Sequence, residues 1–308
     1  MSDSLAFALV LTAAPGAGVI GETEILSARG ALQGETVLDE VRLGPGDAWE
    51  AQLARSEGLA EGSRLVERVR AALGDRPIDV NLVPADLATR RKRLLIADMD
   101  STIIGQECID EMGDVLGIKS RIAAITERAM RGELDFEGAL RERMALLKGL
   151  TEADLHAIFE DRISLTPGAR TLVQTMRSNG AYTALVSGGF TFFTSRVAAA
   201  VGFDINRANV LEFTDGHLSG RVLEPILGRE AKLAALNEFA GARKLDAALT
   251  LAVGDGANDL AMIGAAGLGV AFRAKPVVAA EADAGITHGD LTALLYLQGY
   301  RREEFLSA

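Results

Sequence analysis

Leu5, Phe7, Leu9 and Leu11 alternate along the front of the chain, the period-two pattern of a strand with one face against a core. A helix is predicted over residues 22–32, where Ile25 and Leu32 share a face and Gly34 sits near the end. Residues 37–43 and 49–54 read as a hairpin around Gly44-Pro-Gly46. Leu65, Val69 and Leu73 mark a second helix stopped by Gly74, and residues 78–83 read as a last strand. The order βαββαβ is the split-βαβ, ferredoxin-like pattern of an α+β domain over residues 1–84.

The pattern changes after Pro84-Ala-Asp86. Residues 94–97 are a continuous apolar run, and 107–160 carry helical spacing with no strand, as in the stripe Phe136, Leu140, Met144 and Leu147. Strand and helix then alternate. Pro167 opens a helix that Gly180 closes, followed by a strand at 182–186 and a helix at 191–201 ended by Gly202. Strands at 210–213 and 218–222 flank Asp215-Gly216, a hairpin signal. A helix at 230–239, a strand at 249–253, a helix at 260–265 and a strand at 268–271 continue the series. Such alternation predicts an α/β domain with a doubly wound parallel sheet over residues 93–308. The helical insert at about 107–160 would cap the sheet's carboxyl edge.

The 308-residue length fits two domains, and a composition 48% hydrophobic and 24% charged supplies ordinary globular cores. A net charge of −11 repels a phosphate backbone, so no nucleic-acid partner is expected. The run Arg90-Arg-Lys-Arg93 reads as a solvated linker. Cys108 is the one cysteine, which excludes an intrachain disulfide and fits a reducing compartment. The uncharged stretch 4–20 follows Asp3 and is interrupted by Pro15, Gly16 and Gly18, unlike a signal peptide. No run is long enough to span a bilayer, so the expected location is the cytoplasm.

Asp98-Met-Asp100-Ser-Thr102 directly follows the apolar run at 94–97. Carboxylates two residues apart on an extended strand point the same way. Like charges so placed need a cation or a shared proton, and hard oxygen ligands suit Mg²⁺ with substrate phosphate. The strand end of an α/β sheet is where ligands bind. A nucleophilic Asp beside an acid–base Asp reads as phosphoryl transfer.

Three further stretches follow predicted strands. Ser187-Gly188-Gly189 offers a hydroxyl and backbone N–H groups to a phosphate oxygen. Lys232 begins a helix, where a cation can reach inward. In Gly254-Asp255-Gly-Ala-Asn258-Asp259, Asp255 would complete the metal site and Asn258 or Asp259 would orient the loop. Singly these are a turn, a solvated lysine and a helix cap; their order after successive strands argues otherwise. A cysteine phosphatase is excluded, since Asp114 stands where Cys108 would need a following Arg. His156, His217 and His288 share no motif and suit surface roles, and no G-x-x-x-x-G-K-[ST] loop occurs.

Asp98-Met-Asp-Ser-Thr102, Val186-Ser-Gly188, Lys232 and Gly254-Asp-Gly-Ala-Asn-Asp259 resemble the four motifs of the haloacid dehalogenase superfamily. The stretches 98–111, 130–136 and 140–143 resemble its phosphoserine-hydrolysing branch, and the front domain is similar to ACT-like regulatory domains, a dimerisation module being an equal reading. The resemblance implies hydrolysis of O-phospho-L-serine, the last step of serine synthesis. It implies Asp98 as nucleophile, Asp100 as acid and base, and Mg²⁺ held by Asp98, the Asp100 carbonyl and Asp255. Ser187, Gly188 and Lys232 would hold phosphate oxygens and Asn258 would order the substrate loop. Glu107 would meet the substrate ammonium and Arg143 its carboxylate, while Met130 and Phe136 shield the site. Left to themselves these four read as a helix-start acid, a surface i,i+4 pair member and two core residues. The alternatives are phosphoryl transfer to an alcohol such as homoserine, a phosphatase for another small phosphomonoester, and an amino-acid sensor with an idle back domain. A homodimer would form through the front domain.

Overall fold

The computed structural model describes residues 5–55 and 59–306. The front domain comprises β1 (Leu5–Thr12), α1 (Glu22–Ala31), β2 (Thr36–Gly44), β3 (Ala48–Arg55), α2 (Leu59–Leu73) and β4 (Asp79–Pro84). Its antiparallel sheet has the order β2-β3-β1-β4, the ferredoxin-like arrangement read from the sequence. Both faces of β1 are used. Phe7, Leu9 and Leu11 pack with Trp49, Leu65 and Val69 under the helices, while Ala8 and Val10 join the back domain's core beside Leu43, Val83 and Tyr296.

The connection is not a solvated linker. Asp86 caps the single-turn helix α3 (Leu87–Arg90) by accepting the Ala88 N–H. Arg90 is buried and donates to both Glu50 carboxylate oxygens at 3.0 and 2.5 Å and, through Nε, to the Leu297 carbonyl at 3.1 Å. Lys92 is also buried, its Nζ donating to the Ala248 and Gly267 carbonyls, and burial pulls its pKa down to about 8. Arg91 and Arg93 alone of the basic run face solvent. The expected solvated run fails because its partners come from far away in the chain, beyond the reach of local pattern.

The back domain is a seven-stranded sheet in the order β11-β10-β9-β5-β6-β7-β8, parallel except for the β7–β8 hairpin. β5 (Leu94–Ala97) lies at its centre and is fully buried. Four cap helices follow: α4 (Cys108–Val115), α5 (Lys119–Met130), α6 (Phe136–Leu146) and α7 (Glu152–Arg162). The chain re-enters the sheet domain through α8 (Ala169–Ser178), β6 (Tyr182–Phe190), α9 (Thr191–Val201), β7 (Ile205–Thr214) and β8 (His217–Leu223). It closes with α10 (Arg229–Ala242), β9 (Thr250–Gly254), α11 (Leu260–Ala265), β10 (Gly269–Phe272), α12 (Pro276–Glu281), β11 (Ala284–Ile286) and α13 (Ala293–Leu297). Alternate residues of β5 face opposite cores, Leu95 and Ala97 on one side, Leu94 and Ile96 on the other. That two-sided burial is what a doubly wound sheet requires.

The cap stripe behaves as its spacing predicts, with Leu140, Met144 and Leu147 buried and Phe136 packed beside them. Two chain crossings tether the cap. Ile104 bridges Leu165, and the Gln106 side-chain amide both donates to Ser164 Oγ and accepts the Ser164 N–H at 2.9 Å. Among the described residues, no helix is long and apolar enough to cross a membrane.

Removing one partner of a buried ion pair strands the other charge and typically costs about 3–5 kcal/mol. Glu50→Ala should therefore lower unfolding free energy in urea by about that amount. A loss below about 1 kcal/mol, the range of exposed pairs, would mean that the Arg90–Glu50 contact does not hold the domains together.

Candidate active site

The carboxyl ends of β5, β6 and β9 bring the motif residues to one place. Asp98 follows β5, anchored as its N–H donates to the Val253 carbonyl at 3.0 Å. Residues Met99–Ile103 then form one wide turn closed by the Ile104 N–H on the Met99 carbonyl. Within it Asp100 is extended and Ser101 is left-handed at φ +54°, a conformation costly for a side-chain-bearing residue and found at functional sites. Asp98 and Asp100 thus converge through a turn and not, as strand alternation suggested, because both lie on a strand. The Asp100 carboxylate accepts the Cys108 N–H at 2.9 Å and the Ser187 hydroxyl at 3.2 Å.

Lys232, in the first turn of α10, is buried and reaches Asp98 at 2.7 Å and Asp259 at 2.5 Å. Burial opposes its charge, yet the Asp98 and Asp259 carboxylates hold the ammonium above its ordinary range. Burial and the neighbouring Asp259 push the Asp98 carboxyl well up, and burial likewise raises Asp100. Asp255 is pushed up to about 6 by burial and by Asp259.

One carboxylate oxygen each from Asp98, Asp255 and Asp259 lie within 4.8 Å of one another. This is a hard, all-oxygen donor set with more negative charge than Lys232 balances, and burial and crowding force the Asp98 and Asp255 carboxyls upward. The residues therefore fit a divalent cation.

Asp259 is more central than the sequence reading made it. It pairs with Lys232, joins the carboxylate cluster, and accepts the Gly256 N–H at 3.1 Å. A Cβ on Gly254 would overlap its carboxylate, and one on Gly256 would overlap the Asn258 side chain. The spacing Asp255-x-x-x-Asp259 at a helix start was the available signal. Thr126 is a second addition, for it accepts from Arg143 at 3.4 Å.

Glu107 occupies the N-cap position of α4, accepts the Ser101 hydroxyl at 2.7 Å, and is exposed to solvent. The surrounding protein walls and the Asp100 carboxylate push it up to about 7. Arg143 lies half-buried on α6, with Nε donating to the Ala139 carbonyl at 3.2 Å. Burial lowers its pKa, opposed by the charges of Asp110, Glu107 and Asp100. Among the described residues no carboxylate pairs with Arg143; the i,i+4 surface pair is Arg141 with Glu137. Phe136 overlies Gly188, where a Cβ would stand 3.1 Å from its ring, so the cap meets the sheet domain at the site. The Met130 side chain lies outside the described residues. His156, His217 and His288 are exposed, as expected.

Ser187 and its glycines continue β6. The Gly189 N–H donates to Ser187 Oγ at 2.8 Å, and the Gly188 carbonyl accepts from Asn209. The model of haloacid dehalogenase-like hydrolases matches residues 95–264, from β5 through α11 and so across every motif described above. The chain belongs to this family. A phosphoserine phosphatase of Polaromonas sp. (strain JS666) is 46% identical to the hydrolase over 223 residues, covering 71% of this chain and 94% of its own. The fold is shared with a probable phosphoserine phosphatase from Vibrio cholerae at TM-score 0.75 and 29% identity, over 97% of this chain and 87% of that one. A structure described as a phospho-aspartyl intermediate analogue of phosphoserine phosphatase is 37% identical with TM-score 0.62, covering 67% of this hydrolase and 98% of its own chain.

A Cβ on Gly189 would stand 3.0 Å from both Asp100 Oδ2 and Ser187 Oγ. In Gly189→Ala the Asp100 carboxylate and the Ser187 hydroxyl must give by a fraction of an ångström, and since misplacement of a reacting group by ~1 Å costs up to roughly 100-fold, a smaller loss of about tenfold is expected. Steady-state kinetics should show a fall in kcat of about that size with an essentially unchanged melting temperature. Wild-type kcat in the variant would mean that Asp100 does not act from the observed position.

Proposed function

We propose that this hydrolase converts O-phospho-L-serine and water to L-serine and phosphate, the step that ends serine synthesis, in the cytoplasm, where Cys108 stays a thiol. The observation that carries the reading is the pair Glu107 and Arg143. An acid and a guanidinium without a carboxylate partner among the described residues stand on the cap, within electrostatic reach of the Asp98–Asp100 turn. They complement the ammonium and carboxylate of an amino acid.

In this reading an Asp98 carboxylate oxygen attacks phosphorus and the seryl oxygen departs, taking a proton from Asp100. The product is an aspartyl-phosphate, which splits one difficult displacement into two. Water, losing its proton to Asp100, attacks that phosphorus and frees phosphate and Asp98. Burial shifts the Asp100 carboxyl in the direction that a proton-donating role calls for. The Ser187 hydroxyl, the Gly188 N–H and the Lys232 ammonium hold the phosphoryl oxygens, where charge develops. Asn258 orders the loop beside them. Mg²⁺ would be held by Asp98, Asp255 and the Asp100 carbonyl and would supply neutralisation of the charge between nucleophile and phosphate. Phe136 and Met130 exclude bulk water.

The front domain serves regulation or dimerisation, as its ACT-like order suggests. A homodimer through it has support in the exposed Leu26 on α1 and Val37 and Leu38 on the edge strand β2.

Phosphate release from phosphoserine, phosphoethanolamine and phosphoglycolate, with and without homoserine, tests the reading. Phosphoserine should be preferred, and homoserine should not divert the phosphoryl group. Arg143→Ala removes a charge-assisted interaction of roughly 1.5–3 kcal/mol, or about tenfold to hundredfold in kcat/KM for phosphoserine. Phosphoethanolamine lacks the carboxylate and should lose little, and Arg143→Lys should recover only part because an ammonium cannot form the paired fork. Equal losses on both substrates would assign Arg143 to cap folding and overturn the amino-acid reading.

A further inference from the structure

The free edge of the catalytic sheet is closed by the front domain. β11 pairs with β10 on one side only. Toward its other side the buried Asn81 of β4 stands in for a strand, donating to the Gly285 carbonyl at 3.0 Å and accepting the Gly285 N–H at 2.8 Å. One turn further, the buried Asp79 carboxylate takes three consecutive backbone donors. These are the N–H groups of Thr287 at 2.8 Å, His288 at 3.1 Å and Gly289 at 2.8 Å. Successive amides converging on one anion make a nest, and among the described residues no Lys or Arg pairs with Asp79.

The 287–289 loop that Asp79 grips is also held from the catalytic side. Arg273, which ends β10 at φ +45°, donates through its guanidinium to the Gly289 carbonyl at 3.2 Å and through its N–H to the Ile286 carbonyl at 2.7 Å. Two residues on, the Lys275 N–H donates to the main-chain carbonyl of Asp255 at 3.3 Å. The contacts run without a gap from a front-domain carboxylate to the loop that carries the carboxylate cluster.

We propose that Asp79 is a positioning residue for the metal site: by fixing residues 287–289 and Arg273 it sets where the 254–258 loop holds Asp255. The front domain then contributes to cation affinity without touching substrate. This inference rests on the assignment of Asp255 to the metal site. Partners outside the ligand shell are commonly worth 10–100-fold in metal affinity, and Asp79 lies beyond them, so a loss of about threefold to tenfold is expected.

The test titrates metal-free full-length protein with Mg²⁺ in a calorimeter and follows amide hydrogen exchange of residues 254–258 and 273–275. Asp79→Ala should weaken Mg²⁺ binding by that factor and speed exchange in both segments. Asn81→Ala cuts the same seam but leaves the 287–289 grip, and should keep Mg²⁺ affinity within about twofold of wild type while lowering the melting temperature. If Asp79→Ala does not fold, Asp79→Asn carries the test, with an intermediate loss, because its amide NH₂ faces one of the three N–H groups. Asp255→Asn serves as the control. Weakened binding in Asp255→Asn together with wild-type affinity and exchange in the Asp79 variant overturns the inference alone. Unchanged binding in Asp255→Asn overturns the metal reading and the inference with it. Equal weakening in Asn81→Ala and Asp79→Ala would show general loosening of the seam and also overturn it.

Discussion

Four carboxylates at the ends of two strands, β5 and β9, with one buried ammonium among them, set the terms for everything else in this protein. Asp98, Asp100, Asp255 and Asp259 are crowded like charges, and burial makes ionisation of Asp98, Asp100 and Asp255 costlier. Lys232 offsets part of that by bridging Asp98 and Asp259, and backbone N–H groups from Met99, Cys108 and Gly256 offset more. The remaining surplus of negative charge is what makes the place fit for a divalent cation. The glycines at 189, 254 and 256 follow from the same crowding, since a side chain there would press on an acid or its loop.

Holding repelling groups together needs a stiff surround. The doubly wound sheet supplies most of it, with β5 buried on both faces. The front domain supplies the rest of the frame. Ala8 and Val10 complete a catalytic-domain core, and the Arg90–Glu50 pair, Asn81 and Asp79 are buried polar groups with partners across the seam. A buried polar group left without its partner is expensive, so these contacts define one relative placement of the two domains. A detachable regulatory module would not be joined in this way.

The sequence made much of this legible, and the failures share a cause. Strand alternation, the Phe136–Leu147 stripe and the motif loops are local patterns, and the structure has them where the spacing put them. The convergence of Asp98 and Asp100 was expected for the wrong reason, because a left-handed Ser101 inside a wide turn leaves no compositional mark. Arg90 and Lys92 read as solvated because Glu50, Leu297, Ala248 and Gly267 are invisible to a window of a few residues. Asp79 and Asn81 look like ordinary polar positions of a strand for the same reason. The elements α12, β11 and α13 are three to six residues long, too short for any periodicity to register.

The nucleophile can be read chemically during turnover. Acid quenching of the protein with phosphoserine and Mg²⁺, followed by borohydride reduction, converts an acyl-phosphate on an aspartate to homoserine, which peptide mass spectrometry locates. Homoserine at position 98, appearing only when phosphoserine is present and at no other aspartate, is the expected result. Phosphate released at the normal rate with position 98 unmodified, or with the label on Asp100 or Asp255, would contradict the mechanism.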